Sequence, residues 1–101
     1  MKQVIIHSEA EAELAASVDF YEERKPGLGL DFERSIRNAV GSIQKSPEHF
    51  PKTTYGTRRL VMRNFPFAIH YFDLKAHIWI VAFSHSSRKP GYWKDRLPSL
   101  F

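Results

Sequence analysis

The sequence predicts an α+β domain in which a two-helix hairpin packs on a four-stranded, mainly antiparallel sheet. The element order is β-α-α-β-β-β, with a short C-terminal helix or turn. Three observations predict it. Ile78 to Phe83 is a run of six apolar residues, three of them β-branched and two aromatic, that stops at Ser84 and His85, the pattern of a strand buried in mid-sheet. Two amphipathic stripes lie only a few residues apart, so their helices run antiparallel and show apolar faces to a common surface. Two more strand-forming runs, ahead of the apolar one, supply that surface.

Lys2 to His7 is a short β-rich run. Ser8 comes next as an N-cap with Glu11 three residues later, a capping box that opens the first helix. Ala10, Leu14, Val18 and Tyr21 form its apolar stripe, while Glu9, Glu13, Glu22 and Glu23 give an acidic, solvated outer face. Lys25-Pro26-Gly27 ends it. The second helix is expected after Gly29, with Phe32, Ile36, Ala39, Val40 and Ile43 inward and Pro47 as its stop. Pro47 to Thr57 reads as a long, mobile loop. A strand from Arg58 to Asn64 alternates, with Leu60 and Met62 on one face and Arg59, Val61 and Arg63 on the other. Phe65 to Phe72 is the next strand, with Pro66 near its start, and Asp73-Leu74-Lys75-Ala76 is the hairpin turn into Ile78 to Ser84. Tyr92 to Leu97 forms the terminal helix or turn, ended by Pro98.

A chain of 101 residues, 43% hydrophobic, fits one domain spanning 1-101. Its net charge of +4 is unevenly placed: residues 1 to 50 carry six Lys/Arg against nine Asp/Glu, residues 51 to 101 nine against two. The basic half calls for a polyanionic partner, nucleic acid or an acidic protein segment. Without cysteine there is no disulfide framework, thiolate metal site or Cys nucleophile. His7, His49, His70 and His77 have no metal-ligand spacing among themselves and no carboxylate cluster joins them, so neither metal nor cofactor is expected. The N-terminal apolar run is too short for a signal peptide and no window approaches a membrane span, so the expected compartment is the cytoplasm.

The candidate working surface lies just past the buried strand, which presents His85, Arg88, Lys89, Tyr92, Trp93 and Arg96 with little positional freedom. His85 has a side chain suited to proton transfer near neutrality, and equally to bonding a neighbouring loop. Arg88, Lys89, Lys94 and Arg96 suit phosphate binding or the charge of a phosphorane-like transition state, or simply form a solvated edge; Arg96 has Asp95 or an acidic helix as alternative partners. Tyr92 and Trp93 suit base stacking, and Trp93 equally suits closing the core. Arg59 and Arg63, on one face of a strand by its alternation, stand beside the open side of the sheet. Metal-free RNA cleavage needs a base, a cation and an acid, types that His85, Arg88 and Tyr92 supply.

Gly27-Leu28-Gly29 followed by Phe32, the Pro47 stop, Arg59 ahead of Phe65-Pro66-Phe67, Tyr71, and His85-x-x-Arg88-x-Pro90-x-Tyr92-Trp93-x-x-Arg96 together resemble the RelE/ParE superfamily of toxins from type II toxin–antitoxin modules. The resemblance runs along nearly the whole chain and is nearest to the ParE-like, plasmid-stabilisation branch. It implies a toxin bound by a ParD- or RelB-like antitoxin in a hetero-oligomer. ParE-type members poison DNA gyrase; RelE-type members cleave mRNA on the ribosome with a basic cluster and a terminal aromatic or His. RelE-type members carry a further basic residue in the strand that here reads Phe67-Ala68-Ile69, and lysines in the preceding helix or loop, where this chain has Lys45 and Lys52. The resemblance therefore implies gyrase as target, with the mRNA endonuclease and a non-toxic basic binding module as alternatives.

Overall fold

The computed structural model describes residues 2–96. Strand β1 (Gln3–Ile6) leads into helices α1 (Ser8–Arg24) and α2 (Leu28–Lys45), then strands β2 (Arg58–Val61), β3 (Phe67–Asp73) and β4 (His77–His85) and a 3-10 turn at Lys94–Arg96. The sheet order is β1-β4-β3-β2, with β1 parallel to β4 and the other pairs antiparallel. The six-residue apolar run therefore lies in a central strand. No helix among the described residues is long and apolar enough to cross a membrane.

The helical hairpin covers one face. Ala10, Phe32, Ile36 and Ile43 pack with Ile69, Tyr71, Ile78, Ile80 and Phe83 in one buried cluster, completed by partly buried Leu14, Val18, Tyr21, Ala39 and Val40. Along β4 the inward side chains run Ile78, Ile80, Phe83, a break in alternation. Its cause is an extra residue: Tyr71 pairs with Ile80 but His70 pairs with Ala82, so Val81 is unmatched in a β-bulge. Past the bulge, Val81 and Ala82 form a second buried cluster with Trp93.

Several boundaries differ from the sequence expectation. The N-cap of α1 is His7, whose Nδ1 accepts from the Glu9 N–H at 3.1 Å, and Ser8 is already helical. An imidazole acceptor takes the part expected of the Ser8 hydroxyl. Helix α2 begins at Leu28, before Gly29, because the Glu22 carboxylate accepts from the Gly27 and Gly29 N–H groups at 3.0 and 3.1 Å. Two carboxylates expected on a solvated face are thus engaged, Glu22 with these amides and Glu13 with the C-terminal segment. Strand β2 stops at Val61, which leaves Met62 to Asn64 in the turn into β3, where the Met62 N–H donates to the Phe67 carbonyl at 2.9 Å. The loop expected to be mobile is pinned. Tyr71 Oη donates to the Pro47 carbonyl at 2.6 Å, Arg58 Nη1 to that of Phe50 at 2.7 Å, and buried Thr57 Oγ1 to that of Thr54 at 2.7 Å. The turn expected from Tyr92 to Leu97 is seen as far as Arg96; Leu97 and Pro98 lie outside the described residues.

The glycines of the helical hairpin give a direct stability test. Gly27 sits at φ 90°, and a Cβ on Gly29 would lie 2.6 Å from the Val18 carbonyl oxygen, whereas Gly41 faces open space. Gly29→Ala should cost about 1–3 kcal/mol by overpacking the helix crossing. Gly27→Ala should cost about 1–2 kcal/mol by backbone strain, and Gly41→Ala should gain about 0.5–1 kcal/mol in a helix interior. Urea unfolding of the three variants checks this order.

Candidate functional site

The end of β4 feeds a segment folded as a series of tight turns. Ser86 donates its N–H to the Pro66 carbonyl at 2.8 Å, Arg88 to His85 at 3.0 Å, Tyr92 to Lys89 at 3.2 Å and Arg96 to Trp93 at 2.9 Å. Gly91, at φ 76°, makes one of these turns under the ring of Tyr55, where a Cβ would sit 3.3 Å from that ring. Tyr55 is itself at φ 60°, in the left-handed region that an aromatic residue rarely adopts. Its ring meets Trp93 edge-on at 5.8 Å. The pinned loop and the C-terminal segment therefore close on each other across the face of the sheet that the helices leave free.

Between them lies a concavity of ≈ 370 Å³ lined by Arg59, Arg88, Lys89, His70, His85, the Thr53 and Thr54 loop, and Trp93. No Asp or Glu is among its lining residues. His70 Nδ1 is buried there without a hydrogen-bond partner, and its ring packs on Trp93 at 5.0 Å. Burial, and secondarily the charge of Arg59, push the His70 pKa down to about 4, so its ring is neutral at physiological pH. The positive potential of this concavity comes from Arg59, Arg88 and Lys89.

A second groove of ≈ 390 Å³ runs on the other side of the segment, between it and α1, lined by Phe20, Tyr21, Phe67, Phe83, Tyr92 and Glu13, with Arg88 and His85 at its edge. Here the chain closes a polar clasp. Glu13 Oε2 accepts from Tyr92 Oη at 2.5 Å, and Glu13 Oε1 accepts from Arg96 Nη1 at 2.9 Å and from the Phe83 N–H at 3.2 Å. Arg96 Nη1 also donates to the Val81 carbonyl at 3.3 Å, and its Nε lies 3.5 Å from Glu9 Oε2. The Arg96 and Glu13 side chains are only 12% and 16% exposed. Burial, reinforced by the bond to Glu13, pushes the Tyr92 pKa up to about 12. The Arg88 guanidinium stands over the Tyr92 ring at 3.9 Å.

Of the residues that the sequence marks as candidates, Arg59, Arg88, Lys89, His85 and the buried Trp93 line the concavity. Arg63 does not join Arg59: it lies in the turn after β2 and lines a different concavity, shared with Asn38 and Ser42 of α2. Trp93 is 2% exposed and packs on Val81 and Ala82. Arg96 takes the acidic helix as its partner. His85 Nδ1 accepts from the Ser87 N–H at 3.0 Å and lies 2.8 Å from Ser87 Oγ, so the neutral ring carries its proton on Nε2. Tyr92 turns its hydroxyl toward α1, away from the concavity. Glu13 reads in the sequence as one more solvated carboxylate. One signal could have marked it: it falls three residues after Ala10 and four before Ser17, at the border of the buried stripe.

Neither a protein-family model nor a curated protein sequence matches the chain. Its fold matches a chain of a solved structure described as "Chromosomal ParDE TA system from P. aeruginosa", with a TM-score of 0.74 and 22% sequence identity, over 84% of this chain and 96% of that one. The likeness is one of fold.

The geometry sets two expected outcomes. His70 has a folded pKa near 4 against 6.5 when unfolded, so its contribution to stability is complete above pH 6.5 and is lost as the pH falls toward 4. After allowance for partial solvent screening the loss is about 1–2 kcal/mol. Unfolding free energies from pH 7 to 4 should fall less steeply in His70→Phe than in the wild type. Arg96→Ala, which leaves Glu13 poorly exposed and without its cation, should cost about 2–3 kcal/mol in the same measurement at pH 7.

Proposed function

We propose that this chain is the toxin of a type II toxin–antitoxin module of the ParE-like kind, silenced by a small ParD- or RelB-like antitoxin in a hetero-oligomer. Free of it, the toxin acts on DNA gyrase in the cytoplasm. The observation that carries the reading is the fold, shared along most of both chains with a component of a ParDE TA system. The resemblance of the His85 to Arg96 segment to the RelE/ParE pattern supports it independently.

Within that class, the site favours a contact surface over a nuclease. The Tyr92 hydroxyl is committed to Glu13 with its pKa raised to about 12, which makes it a weak acid at neutral pH. His85 accepts from Ser87 through one ring nitrogen. Arg59, Arg88 and Lys89, by contrast, line a concavity with no Asp or Glu among the described residues, a surface suited to an acidic partner or to DNA phosphates. On this reading, antitoxin and target are both recognised by exposed cations beside apolar surface.

Two assays on the isolated protein test it. Gyrase supercoiling should be inhibited, and Arg88→Ala should weaken inhibition at least about tenfold, the loss of one charged contact, without a shift in thermal unfolding. His85→Ala should change inhibition little. Cleavage of message on translating ribosomes that disappears in His85→Ala, with gyrase untouched, would replace this reading with the mRNA endonuclease. Co-expression with the neighbouring small open reading frame should restore growth and give a co-purifying complex; harmless expression with no partner points to a plain basic binding module.

A further inference from the structure

Arg88 is exposed, on a segment with no regular secondary structure, yet it is the cation shared by the concavity and the groove. A long, solvated side chain in that setting samples many rotamers, and ordering it on binding costs entropy. The structure holds it another way. Its guanidinium rests over the Tyr92 ring at 3.9 Å, that ring is fixed by its hydroxyl on Glu13, and Glu13 is fixed from the far side by Arg96 and by the Phe83 N–H of β4.

We propose that Glu13, on α1, is a positioning residue for Arg88: through Tyr92 it sets the place and order of the cation that the contact surface uses. Its carboxylate bonds to Tyr92, Arg96 and the Phe83 N–H, none of which lines the concavity. It acts by fixing the plane on which Arg88 lies. The arrangement also accounts for a half-buried ion pair on so small a domain. A pair taken out of water adds little net stability, but it ties the C-terminal segment to α1 in one geometry. Arg96, whose Cζ is 5.2 Å from the same ring, closes the arrangement on that side. The consequence for activity rests on the reading of the chain as a gyrase-directed toxin; the geometric claim does not.

The test therefore has two arms. In the first, side-chain ¹⁵Nε relaxation at pH 6 reads the order of Arg88 in the wild type, Glu13→Gln and Tyr92→Phe, with Arg59 as control. Glu13→Gln keeps the shape of the clasp and removes its charge. Tyr92→Phe keeps the ring and the Glu13–Arg96 pair and removes only the hydroxyl, so it covers the case in which Glu13→Gln folds poorly. Arg88 should become more mobile in both variants while Arg59 stays as it was. An unchanged Arg88 in either folded variant overturns the proposal.

In the second arm, gyrase inhibition is measured for Glu13→Gln, Arg88→Ala and the double variant. Glu13→Gln should weaken inhibition roughly two- to fivefold, the value of one exposed cation–π support, and should add nothing once Arg88 is alanine. Additive effects in the cycle would mean that Glu13 acts through general stability and would refute positioning. If the wild type leaves gyrase uninhibited, the functional reading fails, and the relaxation arm alone decides the fate of the proposal.

Discussion

The structure depends on one constraint: β4 is buried on both faces, and the two α-helices among the described residues are both used on one side. Ile78, Ile80 and Phe83 are covered by the hairpin, whereas Val81 and Ala82 must be covered by the segment beyond the strand. That segment is a dozen residues of tight turns with no amphipathic stripe. Its buried member is Trp93, with Tyr92 and the strand's own Trp79 packed against the same cluster, and fully burying an aromatic of that size stabilises by about 2–3 kcal/mol. That is modest for a segment that must also be ordered, so the segment needs a second anchor. The Glu13 clasp supplies it, reaching from α1 around the end of the sheet to Tyr92 and Arg96, with Arg96 in turn on the bulge carbonyl of Val81.

The β-bulge links the two requirements. Without the extra residue, β4 would carry Ile78, Ile80 and Ala82 inward, and Phe83 would point away from the helices. With it, Phe83 joins the main core, and its N–H is satisfied by Glu13. The pairing of β4 with β1 stops at Ile80, and beyond it the Glu13 carboxylate accepts from the Phe83 N–H.

Most of the fold was legible because its signals are local or periodic. The apolar run of β4, the two helical stripes and the turn residues around Pro26 and Pro47 all derive from period and backbone chemistry. The features that could not be read depend on side chains that bond to backbone outside their own element. Glu22 starts α2 two residues early by accepting from Gly27 and Gly29, and nothing in the spacing of apolar residues marks a carboxylate that caps the next helix. The loop expected to be mobile is fixed by Tyr71 and Arg58, residues of neighbouring strands. The candidate site was legible as a stretch, not as an arrangement. Its order along the chain concealed that Arg59, Arg88 and Lys89 meet in one concavity, that Arg63 leaves it, and that Tyr92 bonds to Glu13, 79 residues away.

The cluster from His85 to Arg96 therefore has two kinds of member, which loss of function alone does not separate. Trp93 and Arg96 are spent within the domain, on the second core and on the clasp, and removing either loosens the segment that carries every other residue of the edge. Arg88 and Lys89 are exposed, and Arg59 with them, so they can be removed without opening a cavity or stranding a buried charge. Tyr92 belongs to both kinds, since its hydroxyl secures the clasp while its ring carries Arg88. Of the three exposed cations it is Arg88 that lies over the Tyr92 ring, and so over a side chain whose hydroxyl is bonded to Glu13 on α1.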